Sequence, residues 1–367
     1  MRVLLLASGV LGLSIMESLL ALQKTGEIEI VGVFPWSKSK KGQTLKDLGE
    51  KQLVKAIKKH RLKMIYCPGA NHFSFSQQLQ TLKPDVVIVG CWGEILKPHV
   101  VNRTDIKLVN CHPSKLPAHR GANPYVSALI NRDALDGGES GVTFHWVSSG
   151  IDEGPIILQE AIPLRKAMTG DELRAACCEK VKTMVPGLIE KLRNTGIADY
   201  PPQPQEGASY YPQISLIDGL LRWEQPPDEI INRMKALTPW LTCFSMLQGQ
   251  LLYIFHELLV ESRAAFQANY PHLALLSGDV PNQIPPGTIV AKQQDTIWIQ
   301  SSEQDVLFRA RDIQFYLGWG FLPKPVSRFL NRGVLKIGQR FLQAFVQGVV
   351  AQSQQGAQAQ QDSSPVI

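Results

Sequence analysis

Up to about residue 195, short apolar runs rich in Val and Ile alternate with stretches of helical periodicity, and this alternation narrows the possible folds more than any other feature. The runs are Val3 to Leu6, Ile28 to Phe34, Lys63 to Tyr66, Asp85 to Gly90 and Ile106 to Cys111. Near-continuous apolar strands are buried on both faces, which demands an α/β fold with a mostly parallel sheet covered by helices on either side. Between two of these runs, Thr44 to Arg61 opens on a capping box, Thr44 with Asp47, and carries Leu45, Leu48, Leu53, Val54 and Ile57. That pattern predicts an amphipathic helix with a basic outer face. Met1 and Arg2 followed by Val3 to Met16 superficially resemble a signal peptide. A buried strand over Val3 to Leu6, a turn at Gly9 and Gly12, and a helix over Ser14 to Gln23 carrying Glu17 fit the same residues better. No other stretch is long and apolar enough to span a bilayer.

Residues 196–212 carry Gly196, Pro201, Pro202, Pro204, Gly207 and Pro212, the composition of a linker between domains. The texture then changes. A helix is expected over Pro227 to Leu237, followed by short alternating segments at Leu251 to Phe255, Gly287 to Ala291, Thr296 to Gln300 and Val306 to Ala310. A catalytic domain over 1–195 is thus followed by a small β-rich domain over 213–320. Residues 321–350 read as a terminal helical region, and the Gln/Ser/Ala-rich tail 351–367 as disordered.

The net charge of +6 is concentrated in one place. Trp36 to Lys63 holds ten Lys and Arg against only Asp47 and Glu50, a local excess of +8. Such a stretch is either a solvated helix face or a surface for phosphates. Cys67, Cys91, Cys111, Cys177, Cys178 and Cys243 contain no Cys-x-x-Cys pair, which argues against a zinc ribbon or a disulfide framework and fits a reducing cytoplasm. Gly9 and Gly12 lack the full Gly-x-Gly-x-x-Gly spacing, so no nicotinamide site follows.

The densest chemistry lies in Leu108 to Pro124, L-V-N-C-H-P-S-K-L-P-A-H-R-G-A-N-P. If Lys107 to Cys111 is a strand, Asn110 and His112 share one face and Cys111 points to the other, which argues against a Cys111/His112 nucleophile pair. Pro113 stops the strand, placing Asn110 and His112 at its C-terminal end, where open parallel sheets build their sites. Gly141 to Pro155 forms a second strand and a Gly-flanked loop presenting Asp152. Amide, imidazole and carboxylate together suit acyl transfer: Asn110 holds an oxyanion, His112 moves a proton, and Asp152 orients and stabilises the imidazolium. A zinc set of His112, Asp152 and His145 lacks supporting His-rich spacing.

The Asn110-Cys111-His112-Pro113-Ser114-Lys115-Leu116-Pro117 motif, the Arg120-Gly121-Ala122-x-Pro124 that follows it, and Gly150-Ile151-Asp152-Glu153-Gly154 resemble the folate-dependent formyltransferases. The likeness covers the N-terminal part and, more faintly, Asp218 to Trp223, Thr238-Pro239-Trp240 and Gly287-Thr288-Ile289. It implies a Rossmann-like formyltransferase domain followed by a small open barrel of the oligonucleotide-binding type. It also implies 10-formyltetrahydrofolate as formyl donor, with no metal. Trp92, Gly93, Glu94, Ile95 and Leu96, with Ile151 and Gly154, would clasp the folate. Ser114, Leu116, Pro117, Arg120, Gly121, His145 and the basic Lys38, Lys40 and Lys41 would face the acceptor.

Within that family the two-domain layout and the basic segment point to the amino group of methionyl-tRNA as acceptor. An amino-sugar nucleotide is the alternative, favoured by His145 and the Ser8-Gly9-Val10-Leu11-Gly12 loop. Hydrolysis of formylfolate is a third reading, and a catalytically silent folate- or RNA-binding protein a fourth, disfavoured because all three catalytic residues are present. Lys115 departs from the family's usual Leu. The oligomeric state is not legible.

Overall fold

The computed structural model describes residues 1–36, 49–131, 138–166, 168–247, 251–276, 284–316, 324–325 and 335–342. It divides into two compact units, Met1–Ile214 and Ser215–Ile367.

The first unit is built on β1 (Arg2–Ala7), α1 (Gly9–Lys24), β2 (Glu29–Pro35), α2 (Glu50–Lys59), α3 (Phe73–Leu82), β3 (Val86–Gly90), α4 (Pro98–Val101), β4 (Lys107–His112), β5 (Arg120–Gly121), α5 (Pro124–Ile130), β6 (Glu139–Trp146), β7 (Ile156–Pro163), α6 (Gly170–Asn194) and β8 (Tyr210–Tyr211). Its main sheet has six strands in the order β2-β1-β3-β4-β6-β7. The first four run parallel, and β6 and β7 are antiparallel to their neighbours. Successive residues face opposite sides of a strand. Accordingly Leu4, Leu6, Val87 and Val89 pack with Phe75, Leu79 and Leu82 of α3 on one face. The alternate residues Val3, Leu5, Val86 and Ile88 are equally buried, on the side where α1 packs against α6.

Two chemical devices fix the long α6. Thr169 and Glu172 close a capping box at its start, satisfying N–H groups that lack helical partners. At its end the ammonium of Lys107, from the first residue of β4, donates to the carbonyls of Leu192 and Thr195, where the helix dipole favours a cation.

Two expectations are corrected, and a third falls partly outside the described residues. Lys63 to Tyr66 forms no strand beyond an isolated bridge of Met64 to Val33, because Ile65 alone of the four is buried. The expected helix from Thr44 is seen from Glu50 only, and its capping-box residues lie outside the described residues. The segment 196–212, expected as a linker, pairs with the first unit through β8 on β5.

The second unit comprises α7 (Pro227–Leu237), β9 (Cys243–Leu247), β10 (Leu251–Ser262), α8 (Arg263–Asn269), β11 (Ile289–Gln293), β12 (Thr296–Gln300), β13 (Val306–Tyr316), β14 (Lys324–Pro325) and β15 (Phe341–Leu342). Its seven strands form a curled antiparallel half-barrel, β11-β12-β13-β10-β9-β15 with β14 on β13. Trp223 is fully buried among Phe255, Phe308 and Phe341, and its indole N–H donates to Ser245 Oγ at 2.9 Å. A buried indole needs such a partner. Within the region expected as a terminal helix, residues 335–342 form a turn and β15 instead. Gly338, at φ +90°, cannot continue a right-handed helix there. The tail 351–367 lies outside the described residues.

Candidate active site

Asn110 and His112 stand at the C-terminal end of β4. Between them Cys111 is buried, and desolvation pushes its thiol well above the ordinary value, leaving it protonated. The antiparallel pairing of β4 with β6 sets Asn110 opposite His145. Directly opposed residues share a face, and Asn110 Nδ2 indeed lies 3.1 Å from His145 Nε2.

Asp152 reaches this pair from the loop after β6, in left-handed backbone conformation at φ +56°. Its Oδ1 accepts from Asn110 Nδ2 at 3.2 Å and its Oδ2 from the Gly121 N–H at 2.9 Å. His112 Nδ1 is 3.5 Å from Oδ2 and His145 Nε2 3.5 Å from Oδ1. The carboxylate is thus clasped between two imidazoles. On their far sides, His112 Nε2 lies 2.8 Å from the carbonyl of His119 and His145 Nδ1 2.8 Å from that of Trp146. A carbonyl only accepts, so those far nitrogens carry the protons and the near nitrogens of the neutral rings carry lone pairs. A proton taken up at either near nitrogen faces a carboxylate.

Burial, the largest influence, lowers the pKa of His112 below the usual imidazole value even though Asp152 opposes it. Burial also works against the charge on Asp152. His112, His145 and the Gly121 N–H outweigh it and hold the carboxyl well below its ordinary range. The site therefore rests as neutral imidazole beside ionised carboxylate.

Several residues expected to face the acceptor are instead spent on holding the β4–β5 loop. Ser114 Oγ donates to the Ala118 carbonyl at 2.7 Å. Leu116 is buried in the core, and its carbonyl and that of Pro117 accept from Gln159 and Ser209. Arg120 is buried and donates to Gln203 Oε1 at 2.9 Å, with Glu153 3.4 Å away. Gly121 has φ +104°, and a Cβ there would sit 2.1 Å from the Tyr211 carbonyl, so no other residue could bring its N–H to Asp152. His145, likewise buried, belongs to the carboxylate cluster. Lys115, the departure from the family pattern, pairs with Glu139 at 2.6 Å on the surface.

Sequence reasoning missed Gln203. Its amide donates to the carbonyls of Asp152 at 2.9 Å and Gly154 at 2.6 Å. Nothing in a Pro-rich stretch distinguishes it.

The loop after β3 begins beside the site, since Gly90 pairs with Cys111. Glu94 braces it, accepting from Ala70 N and Asn71 Nδ2 at 2.8 and 2.9 Å. Trp92 packs edge-on to Phe34 and Trp36, and Leu96 against the core. Gly93 and Ile95 remain exposed, as does Ile151 beside Asp152. Gly154 permits backbone contact: a Cβ would lie 1.7 Å from the Trp146 carbonyl.

At the first loop, Glu50 Oε2 accepts from Ser8 Oγ and Gly9 N, each at 3.2 Å, so a carboxylate of the chain fills the N-terminus of α1. Beyond it α2 exposes Lys51, Lys55, Lys58 and Lys59. Lys38, Lys40 and Lys41 lie outside the described residues. Among the described residues no three His, Cys, Asp or Glu side chains form a group that could hold a metal ion, and no helix is long and apolar enough to cross a membrane.

The sequence profile described as "Formyl transferase" matches residues 1–189, and "Formyl transferase, C-terminal domain" matches 213–315. The methionyl-tRNA formyltransferase of Synechococcus sp. (strain JA-3-3Ab) is 28% identical over 267 residues, covering 72% of this chain and 74% of that protein. That of Methylacidiphilum infernorum is 29% identical over 268 residues, covering 72% and 81%. Among solved structures, an N-formyltransferase from Helicobacter canadensis, in complex with folinic acid and dTDP-3-aminofucose, aligns with a TM-score of 0.55 at 17% identity, over 84% of this chain and 98% of that one. HypX from Aquifex aeolicus in complex with tetrahydrofolic acid aligns with a TM-score of 0.56 at 16% identity, over 94% of this chain, which spans about half of HypX (51%).

Proposed function

This chain belongs to the formyl transferase family, and we propose that it moves the formyl group of 10-formyltetrahydrofolate onto the amino group of methionyl-tRNA. The observation that carries the chemistry is the convergence of Asn110, His112 and Asp152 within hydrogen-bonding or ion-pair distance at one strand end. The amine attacks the formyl carbon, the new N–C bond forms, and the C–N10 bond to the folate breaks. Asn110 turns an N–H from His145 onto the formyl oxygen as negative charge develops there. His112 takes the amine proton at Nδ1, Asp152 compensates the imidazolium, and the proton leaves on the folate nitrogen. Gly93, Ile95 and Ile151 offer exposed, largely apolar surface to a flat heterocycle.

The tRNA acceptor draws support from relatives of that name aligned over 267 residues, longer than the first unit and so reaching into the second. The lysine face of α2 adds a surface for phosphates. An amino-sugar nucleotide is the second reading, and its anionic diphosphate would meet the Glu50 carboxylate at the N-terminus of α1, where a phosphate could otherwise bind. Six free thiols suit a reducing cytoplasm. The test supplies formylated folate with charged initiator tRNA, or with 3-amino and 4-amino sugar nucleotides, and identifies the product by mass. Formylmethionyl-tRNA is expected; a formylated sugar nucleotide would give the second reading, and free formate alone would indicate hydrolysis.

A further inference from the structure

Asp152 is held in a strained backbone conformation, φ +56°, and a single side chain from a distant stretch of sequence pins the loop that carries it. Gln203 is buried, and its Nε2 donates to the carbonyls on either side of Glu153, those of Asp152 and Gly154. Its Oε1 accepts from Arg120, the neighbour of the Gly121 whose N–H holds Asp152 Oδ2. The same stretch is fastened again further on. Ser209 Oγ accepts from the His119 N–H at 2.9 Å, Tyr211 stacks on the His119 ring at 5.2 Å, and Tyr210–Tyr211 pairs with Arg120–Gly121. Both loops that set the position of Asp152 are therefore tied to one strap.

We infer that Gln203 is a positioning residue, fixing the Asp152 carboxylate against His112, and that Ser209 and Tyr211 of the same strap complete the support of the active site. As a statement about catalysis this rests on the formyl-transfer reading above; as a statement about geometry it does not. The strap lies beyond residue 189, where the match to the family's first domain ends. A side chain that over-determines a strained backbone maintains a geometry in which small displacements are costly, about 10²-fold for 1 Å.

The test uses the full chain with Gln203→Met, which keeps volume and removes every hydrogen bond. Gln203→Glu keeps the acceptor for Arg120 and replaces the N–H donors by a carboxylate oxygen that repels both carbonyls. Gln205→Ala, on an exposed neighbour, is the control. Two readouts are taken: kcat and KM for formyl transfer, and the titration of His112 by NMR of ring-labelled histidine. His112 faces Asp152 from the loop after β6, His145 from β6 and His119 from the β4–β5 loop. Loss of a fixed Asp152 removes the charge that supports protonation, so the His112 titration should move to lower pH in Gln203→Met, whereas the added carboxylate of Gln203→Glu works against that shift. kcat should fall by about 10-fold or more with KM little changed, and Gln205→Ala should move neither. An unshifted His112 titration in Gln203→Met with unchanged kcat in both variants overturns the proposal, as does an equal effect from Gln205→Ala. If Gln203→Met does not fold, Gln203→Glu decides by kcat. If the parent transfers no formyl group, the functional reading fails, and the His112 titration alone decides the role of Gln203.

Discussion

His112 approaches Asp152 with Nδ1 at 3.5 Å while its Nε2 is tied to the His119 carbonyl at 2.8 Å, so the one basic nitrogen of the ring is the one beside the carboxylate. Burial lowers the pKa of this imidazole and Asp152 partly restores it. Turnover needs the neutral ring, so the acid limb of kcat should lie below pH 6.5. Asp152→Asn removes the supporting charge and should move that limb to still lower pH, at a much reduced plateau. A pH–rate profile of each protein checks both; a limb that rises in Asp152→Asn would contradict the assignment.

Asn110 spends its amide N–H groups on Asp152 and His145 in the resting site, and matters to the reaction only once charge builds on the formyl oxygen. Asn110→Ala should lower kcat by about 10²- to 10³-fold with folate affinity nearly intact. Unchanged turnover would remove Asn110 from the chemistry.

His119 is buried on Tyr211, and its Nε2 has no partner among the described residues. Desolvation first, then His112, lowers its pKa from 6.5 to about 4. The unfolded chain binds this proton more readily than the folded one, so the stability contribution is complete above pH 6.5 and is lost as pH falls towards 4. His119→Asn, which tolerates the local φ of +60°, should be less stable at pH 7 but lose less Tm across that interval. Parallel Tm–pH curves for parent and variant would refute the assignment.

A polyanionic acceptor must be held through phosphates, with steep salt dependence. Replacing Lys38, Lys40 and Lys41 together by Gln should raise KM for charged tRNA and flatten its salt dependence while leaving kcat in place. A parallel variant of Lys51, Lys55, Lys58 and Lys59 on α2 separates the two parts of the basic stretch. If neither variant alters KM at any salt concentration, these lysines form only a solvated surface.

Continuous apolar runs made the parallel strands legible, and strand alternation with Pro113 located Asn110 and His112 at the end of β4. The role of His145 was less accessible, because its contact with Asn110 depends on β6 running antiparallel to β4, and no local pattern declares strand partners. Arg120 reads as an acceptor contact in a motif that resembles the family's, but its guanidinium is bonded internally to Gln203 and Glu153. Gln203 left no trace in sequence, since a side chain that binds backbone carbonyls far along the chain needs neither periodicity nor a motif. The strap reads as a linker for the same reason: its prolines report extended backbone, not what that backbone packs against.

The central claim, that His112 and Asp152 act as one proton-handling unit in formyl transfer, is tested most directly by a double-mutant cycle on kcat. His112→Ala and Asp152→Ala should each cost at least ~10²-fold, and the double variant far less than the product of the two losses. Losses that multiply fully would show that the two residues act independently and would contradict the account.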